Sequence, residues 1–421
     1  MNLQFWRPPM MNANPSSGKT APELADIFCK YGKAYIESRS MPLEHYKIMK
    51  DVVVCRTAAL GGHVEICDDC GKTQNAYNSC RNRHCPKCQA LTKAKWLEAR
   101  QAELLCVSYF HNVFTLPHDL NPVALCNKKI MLDLLFAAVS ATLKEFAQNP
   151  NKYKEGGKIG FTAILHTWDQ KLQDHFHLHC LIPAGYLSHD GDRWIHSKKK
   201  YLFSVKALSK VFRGKFMELM EEAFQNNDLI FPGKLAEIGT IAGLKKLKKQ
   251  LWSKEWVVYS KQPFGGPKQV LEYLGRYTHR VAISNNRILN TENNAVTFSY
   301  KDRANDNEKR TMMLKADEFI RRFFLHALPK KFMRIRHFGF LANRCKKENI
   351  IKCRKILGQN SIPEKLPNIS VKEVILKLTG LDISVCPFCK KGNLKKAFEI
   401  EKHTGPGFFE RLNLKALKNT S

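Results

Sequence analysis

The stretch DHFHLHCLIPAG, residues 174–185, carries histidines at 175, 177 and 179, each separated by one apolar residue. A period of two is the strand period, so the three imidazoles share one face and Phe176, Leu178 and Cys180 share the other. The apolar face can pack on a core. Two imidazoles at i and i+2 project in parallel and can hold one divalent ion, and neutral nitrogen suits Zn, Mn, Fe, Ni or Co better than Mg. Hydrogen-bonded histidines on a polar sheet face would give the same pattern, and alternation alone does not choose between the two.

A second constellation lies in EYLGRYTHR. Tyr273 and Tyr277 stand four apart in a helical pattern, one turn apart on one face, and Arg276 and Arg280 follow each tyrosine by three residues. Two phenols among guanidiniums suit phosphoryl chemistry, with the phenol oxygen attacking and the cations stabilising charge on phosphate. An aromatic stripe packed in a core would share this spacing.

The third is CDDCGKTQNAYNSCRNRHCPKC. Cys67-x-x-Cys70 and Cys85-x-x-Cys88 are separated by 14 residues, the spacing of a zinc ribbon, and Gly71 allows the turn after the first knuckle. Four thiolates leave no open position, so that zinc is expected to be structural. Cys55, His63, Cys80 and His84 surround the block and could form a second site or displace a ribbon ligand. Far downstream, Cys386-x-x-Cys389 is a single knuckle that Cys345 and Cys353 could complete.

The elements that must position these groups read as strands interleaved with helices. Thr20 to Glu23 with Pro22 reads as a capping box opening a helix, and QALTKAKWLEARQAELL as another helix. HNVFTLP is a strand candidate followed by the long helix KKIMLDLLFAAVSATLKEFAQ. IGFTAILHTW and HFHLHCLIPAG are two strand candidates, the second leading to a turn at Asp190-Gly191. EWVVYS, the helix PKQVLEYLGRYTHR and AVTFSYKD follow. The pattern predicts an α+β sandwich with helices over one sheet. SSGKT lacks the first glycine of a phosphate-binding loop, position 13 being Ala.

Over 421 residues, 69 Lys+Arg against 38 Asp+Glu leave a net charge of +31. Such a field attracts polyanions, nucleic acid first. Residues 301–421 carry 28 basic against 12 acidic residues, half of the excess in under a third of the chain. No apolar stretch is long enough to span a bilayer and the start lacks a signal-peptide pattern, so the expected location is the cytoplasm, near the nucleoid by function, without a membrane partner. There thiols stay reduced, and the 14 cysteines are expected to be metal ligands or core residues.

Taken together, YNSCRNRHCPKCQ, LHTWDQ, HFHLHCLIPAG, YLGRYTHRVAISNNRI and HFGFLANR resemble the rolling-circle insertion-sequence transposases of the HUH class. The resemblance runs from about residue 20 to the final CPFC. Residues 1–20, rich in Asn, Pro and Ser, read as a flexible tail. The resemblance implies a helical zinc-binding, DNA-binding domain over 21–105 and an HUH nuclease domain with a central antiparallel sheet over 106–300. A basic, mainly helical region with the second knuckle follows over 301–421. The CLIPAG register maps the family's histidine pair onto His177 and His179, with His175 auxiliary. Tyr273 and Tyr277 match the paired tyrosines, of which some relatives keep only one. A third polar ligand is common in such sites; His166 is the candidate, Gln170 the runner-up.

The implied reaction is metal-dependent nicking and rejoining of single-stranded DNA through a 5′-phosphotyrosine. The catalytic ion would be Mg or Mn; Mg comes from the resemblance, while imidazole ligands favour Mn. Single-stranded DNA of element ends and target is the expected partner, with no nucleotide cofactor and a homodimer left open. Arg81, Arg83, Arg287, Arg334 and Arg336 are candidate DNA contacts. A plasmid replication initiator or relaxase of the same chemistry, and a non-enzymatic zinc DNA-binding regulator, are the alternatives.

Overall fold

In the computed structural model the described residues are 21–101, 103–148, 156–197, 202–261, 269–270, 275, 281–302, 305–359, 370, 372–373, 375–376 and 380–402. Two helices open them, α1 (Leu24–Glu37) and α2 (Leu43–Val53). The cap of α1 sits three residues later than Thr20: Glu23 is the N-cap, and the Asp26 carboxylate accepts its N–H at 2.7 Å. Acceptors there satisfy orphan amides of the first turn. A hairpin of β1 (Gly62–Cys67) and β2 (Thr73–Tyr77) follows, then α3 (Pro86–Gln101). Pro86 suits a first helical position, where no N–H bond is needed.

Next come β3 (Tyr109–Thr115), α4 (Asn121–Cys126), α5 (Lys128–Gln148), β4 (Gly157–Lys158), β5 (Gly160–Trp168) and β6 (Asp174–Pro183). β7 (Gly185–Ser188) and β8 (Trp194–His196) form a hairpin whose turn holds Gly191 at φ 87°. Then α6 (Val205–Gln225) and α7 (Ile241–Trp252) lead to β9 (Val258–Lys261). A meander of β10 (Ile288–Asn290), β11 (Ala295–Asp302) and β12 (Glu308–Lys315) runs into α8 (Ala316–Leu325). The last elements are β13 (Ile335–Gly339), α9 (Lys346–Ile356) and β14 (Leu394–Ile400).

The architecture is α+β. Its central sheet has the order β13-β5-β6-β3-β9, and every neighbouring pair is antiparallel. One face carries Phe114, Phe161, Leu165, Phe176, Leu178 and Cys180, all buried in a core with Leu135, Phe136 and Val139 of α5 and Phe212 and Phe216 of α6. Full burial of one such large side chain contributes about 1.5–3 kcal/mol. That asymmetry turns the opposite, histidine-bearing face outward from the core. A second core joins α1 and α2 to the meander and α8, with Phe28 set against Phe323 at 5.5 Å and stacked on Phe324 at 5.8 Å.

Among the described residues, the elements beyond 300 pack into the units formed earlier in the chain. α8 packs on α1, β13 becomes an edge of the central sheet, and β14 pairs with β1 to give the order β14-β1-β2. Each of these segments has an apolar or backbone-donating side that only a partner from earlier in the chain completes. Among the described residues no helix is long and apolar enough to cross a membrane.

Candidate active site

Register decides which histidines meet. His166 on β5 lies directly opposite His177 on β6, and Ile164 opposite His179, so the three imidazoles converge on one face. Their ring centroids are 5.4 Å (166–177), 4.7 Å (166–179) and 4.8 Å (177–179) apart. One nitrogen from each lies within 4.8 Å of the others, and all three residues are buried. Gln170 is not in this group; its backbone carbonyl accepts from Arg287. His175 is not in this group either; its ring stacks on His118 at 5.6 Å.

Two hydrogen bonds aim the ring nitrogens. His177 Nδ1 lies 2.7 Å from the His175 carbonyl, which can only accept, so Nδ1 carries the proton and Nε2 is left as a donor to a metal. His179 Nδ1 lies 2.9 Å from His111 Nε2 on β3. Burial, with Lys261 nearby, pushes the His111 imidazole down to about 4, so it is neutral at neutral pH and can accept from His179 Nδ1–H. His111 was not legible as a site residue. Its place follows from the pairing of His111 with Leu181 and of Val113 with His179, which puts it on the histidine face. The same face continues to β9, where Lys261 pairs with His111 and the half-exposed Tyr259 pairs with Val113. Three buried imidazoles converging on one point fit a divalent transition ion better than Mg.

Tyr273, Tyr277, Arg276 and Arg280 lie outside the described residues. Their neighbours are placed, however. Val270 is buried in a cluster with Tyr109, Ile164 and Leu181 on the histidine face, flanked by Trp96 and Leu97 of α3. Gly275 packs on the same helix, where a Cβ would come within 3.1 Å of Leu97 and 3.3 Å of Lys93.

Eight of the 14 cysteines fall into two groups of four, not the expected ribbon. Cys55, Cys80, Cys85 and Cys88 form one; Cys67, Cys70, Cys386 and Cys389 form the other. The reason is β2, which carries the chain about 17 Å back from the tip of its hairpin, at about 3.4 Å per residue, before Cys80 is reached. Cys67 and Cys70 therefore stay at the tip, where β14 delivers the late knuckle. Cys85 and Cys88 lie at the base beside Cys55. The Sγ···Sγ distances are 3.5 Å (55–88), 3.6 Å (80–88), 3.7 Å (67–389) and 3.8 Å (70–386). Tetrahedral zinc with bonds of about 2.3 Å places its sulfurs about 3.8 Å apart. Backbone N–H groups of Cys70 and Gly392 point at Cys67 and Cys389 Sγ at 3.4 Å each, as knuckles require.

The other expected metal residues have different employment. His63 faces Glu65 at 3.4 Å, and the Cys345 thiol faces the Gly339 and Ala342 carbonyls. Cys353 is buried among Leu105, Trp194 and Ile350. His84 is half-buried beside Arg83 and Arg334, and desolvation pushes it down to about 3.

Four of the five arginines expected on DNA are bound internally. Arg83 donates to the Phe332 and Pro329 carbonyls, and Arg334 to Gln89 Oε1 at 2.9 Å. Arg287 donates to the Ser299 carbonyl at 2.7 Å. Arg336 pairs with Asp133 and lies 4.1 Å over the Phe136 ring. Arg83 and Arg334 tie the zinc-bearing segment to the stretch just before β13, and Arg336 ties β13 to α5. Arg81 is exposed.

Residues 160–349 match a family model described as a putative transposase, and residues 27–116 one described as a transposase zinc-binding domain. The chain is 45% identical over 392 residues to the putative transposase y4qJ of Sinorhizobium fredii (strain NBRC 101917 / NGR234), covering 92% of this chain and 98% of that protein. It is 27% identical over 344 residues to the transposase for insertion sequence element IS801 of Pseudomonas savastanoi pv. phaseolicola, 80% of each. A solved structure titled as the conjugative relaxase TrwC in complex with oriT DNA is 13% identical, covering 59% of this chain and 71% of that one at a TM-score of 0.22, too low to establish a common arrangement.

Proposed function

The chain belongs to the insertion-sequence transposase family of these relatives, and from that premise we propose that it nicks and rejoins single-stranded DNA at element ends through a tyrosine nucleophile. The observation that carries this reading is the buried trio His166, His177 and His179, with two of its rings held in metal-donating tautomers by His175 and His111. Those three residues would hold the divalent cation, and when bound it would supply Lewis-acid polarisation of the scissile phosphodiester.

The nucleophile is one of the pair Tyr273 and Tyr277, which closely follow in sequence Val270, buried on the histidine face. Its phenol oxygen attacks phosphorus in line, and the P–O bond to the 3′ oxygen breaks. The protein keeps the 5′ phosphate as a phosphotyrosine, and the departing 3′-oxygen takes up a proton. Attack by a 3′-OH on that ester reverses the step without ATP. The other tyrosine gives a second nucleophile for the target or the second element end, and Arg276 and Arg280 would neutralise phosphate charge. Tyr259 and Lys261 extend the face with an exposed ring and an ammonium, the pairing used for unpaired bases and their phosphates. The two tetrathiolate groups are closed by four sulfurs each and support structural zinc, apart from the reaction.

The test is incubation with labelled single-stranded element-end DNA and Mn or Mg, followed by denaturing electrophoresis. An SDS-stable protein–DNA adduct is expected, and it should disappear in the Tyr273→Phe/Tyr277→Phe double variant. Absence of an adduct with any end sequence would overturn the reading.

A further inference from the structure

A cavity of about 660 Å³ opens where α5, β4, the β7–β8 turn, β13 and α9 come together. Its rim carries Lys144, Lys158, Arg344 and Lys352, all exposed. Cations nearby are engaged, Lys346 with Glu103 at 2.9 Å and Lys215 with Glu145 at 3.2 Å. Among the described residues the four rim cations enter no ion pair. The acidic residue on the rim, Asp190, is turned into its own hairpin, where the Ser188 hydroxyl and the Asp192 N–H donate to it. The floor is aromatic: Phe338, stacked on Phe161 at 4.9 Å, and the buried Phe340. Gly339 between them has φ 62°, and a Cβ there would fall 1.6 Å from the Ile159 carbonyl. Only glycine lets this backbone lie flat on the strand below it.

Four cations around an apolar floor attract an anion that also has a flat or apolar part. The position in the fold says which anion. Gly339 pairs with Gly160 at one end of β5, and His166 stands six residues along the same strand. The cavity is therefore about 20 Å from the histidine trio, at about 3.3 Å per residue. That distance corresponds to roughly six stacked nucleotides at 3.4 Å each.

We propose that this cavity grips backbone phosphates of the DNA strand processed at the histidine site, about six nucleotides from the reacting phosphate, with a sugar or base against Phe338 and Phe340. The assignment rests on the function proposed above. It makes the cavity an anchoring subsite that works through affinity and leaves the chemistry to the histidine face.

The experiment measures binding of single-stranded oligonucleotides of graded length to the full chain by fluorescence anisotropy. Wild type is compared with Lys158→Glu/Lys352→Glu and with Arg344→Glu, all at exposed positions, alongside adduct yield. Oligonucleotides that reach the cavity should lose at least about tenfold in affinity, and the salt slope should fall by about 0.7 per phosphate contact removed. Those too short to reach it should bind and form adduct as wild type does. Unchanged affinity at every length overturns the proposal, and so does an equal loss at every length, which would mean a general field effect. Hydrogen exchange supplies the second arm. Protection of residues 157–159 and 338–345 by long oligonucleotides supports the anchor, whereas protection by pyrophosphate alone overturns it in favour of a free-anion site. Adduct formation with length-independent binding would sink this inference and leave the proposed function standing. Length-dependent loss without adduct would do the reverse.

Discussion

Replacing His111 by alanine should weaken metal binding without touching any metal ligand. His111 Nε2 lies 2.9 Å from His179 Nδ1; with His111 as the acceptor, the proton sits on His179 Nδ1 and its Nε2 is left to face the cluster. The acceptor role requires a neutral His111. Burial holds its imidazole near 4, so at pH 7 only about one molecule in a thousand carries the charged form, which could not accept. Loss of the hydrogen bond costs about 0.5–1.5 kcal/mol net, and desolvation of the donor left behind adds about 1–3 kcal/mol. Only part of that appears in binding, because the free protein carries much of the same loss. A second-layer partner of this kind is worth about 10–100-fold in affinity, or about 1.4–2.7 kcal/mol. Calorimetric titration with Mn at pH 7 is the assay. His111→Ala should raise Kd about 10–100-fold, and adduct yield should recover at high Mn. His111→Gln, whose amide oxygen can accept, should recover part of the affinity. A folded His111→Ala protein with Kd within twofold of wild type would refute the tautomer argument.

Zinc analysis of the purified chain should give two ions per molecule, and Cys386→Ser/Cys389→Ser should give one; a value that stays at two would disprove the second tetrathiolate group. Arg336→Ala should lower stability by about 1–3 kcal/mol in urea titration through loss of its Asp133 and Phe136 contacts, with an unchanged salt slope for DNA binding. A reduced slope with unchanged stability would return Arg336 to the DNA. Stability should also fall on acidification. Burial pushes His45 and His337 down to about 4 and His326 to about 3. The unfolded chain then binds more protons as pH drops below about 6.5, so stability is complete above that value and is lost toward pH 4, on the order of 2 kcal/mol per imidazole by pH 5. A melting temperature flat from pH 7 to pH 5 would contradict this.

The grouping of histidines on one face was legible in sequence because its signal is local. Alternation in β6 put His177 and His179 on one side and Leu178 in the core, and one strand-to-strand step was enough to nominate His166. What failed depends on contacts between distant segments. The 14-residue spacing of two knuckles reads as a ribbon, but it does not reveal that five of those residues form a strand leading away, or that a strand 320 residues later fills the vacated edge. The arginines failed for a related reason. A guanidinium has the same sequence signature whether it meets a phosphate or a carbonyl, and Arg83, Arg287 and Arg334 meet carbonyls or an amide brought in by tertiary packing. His111 was missed because only the register of β3 against β6 shows which face it occupies.

The sulfur group at the tip of the first hairpin joins residues 316 and 322 positions apart. At a synthesis rate of about 5–20 residues per second, its first two thiols wait roughly 15–65 s for the other two to leave the ribosome. During that interval the N-terminal hairpin has an open edge and half a metal site. A chain that stops early never closes it. Completion of this sulfur group thus depends on a late segment of the chain: only a polypeptide translated past residue 389 can supply all four thiols.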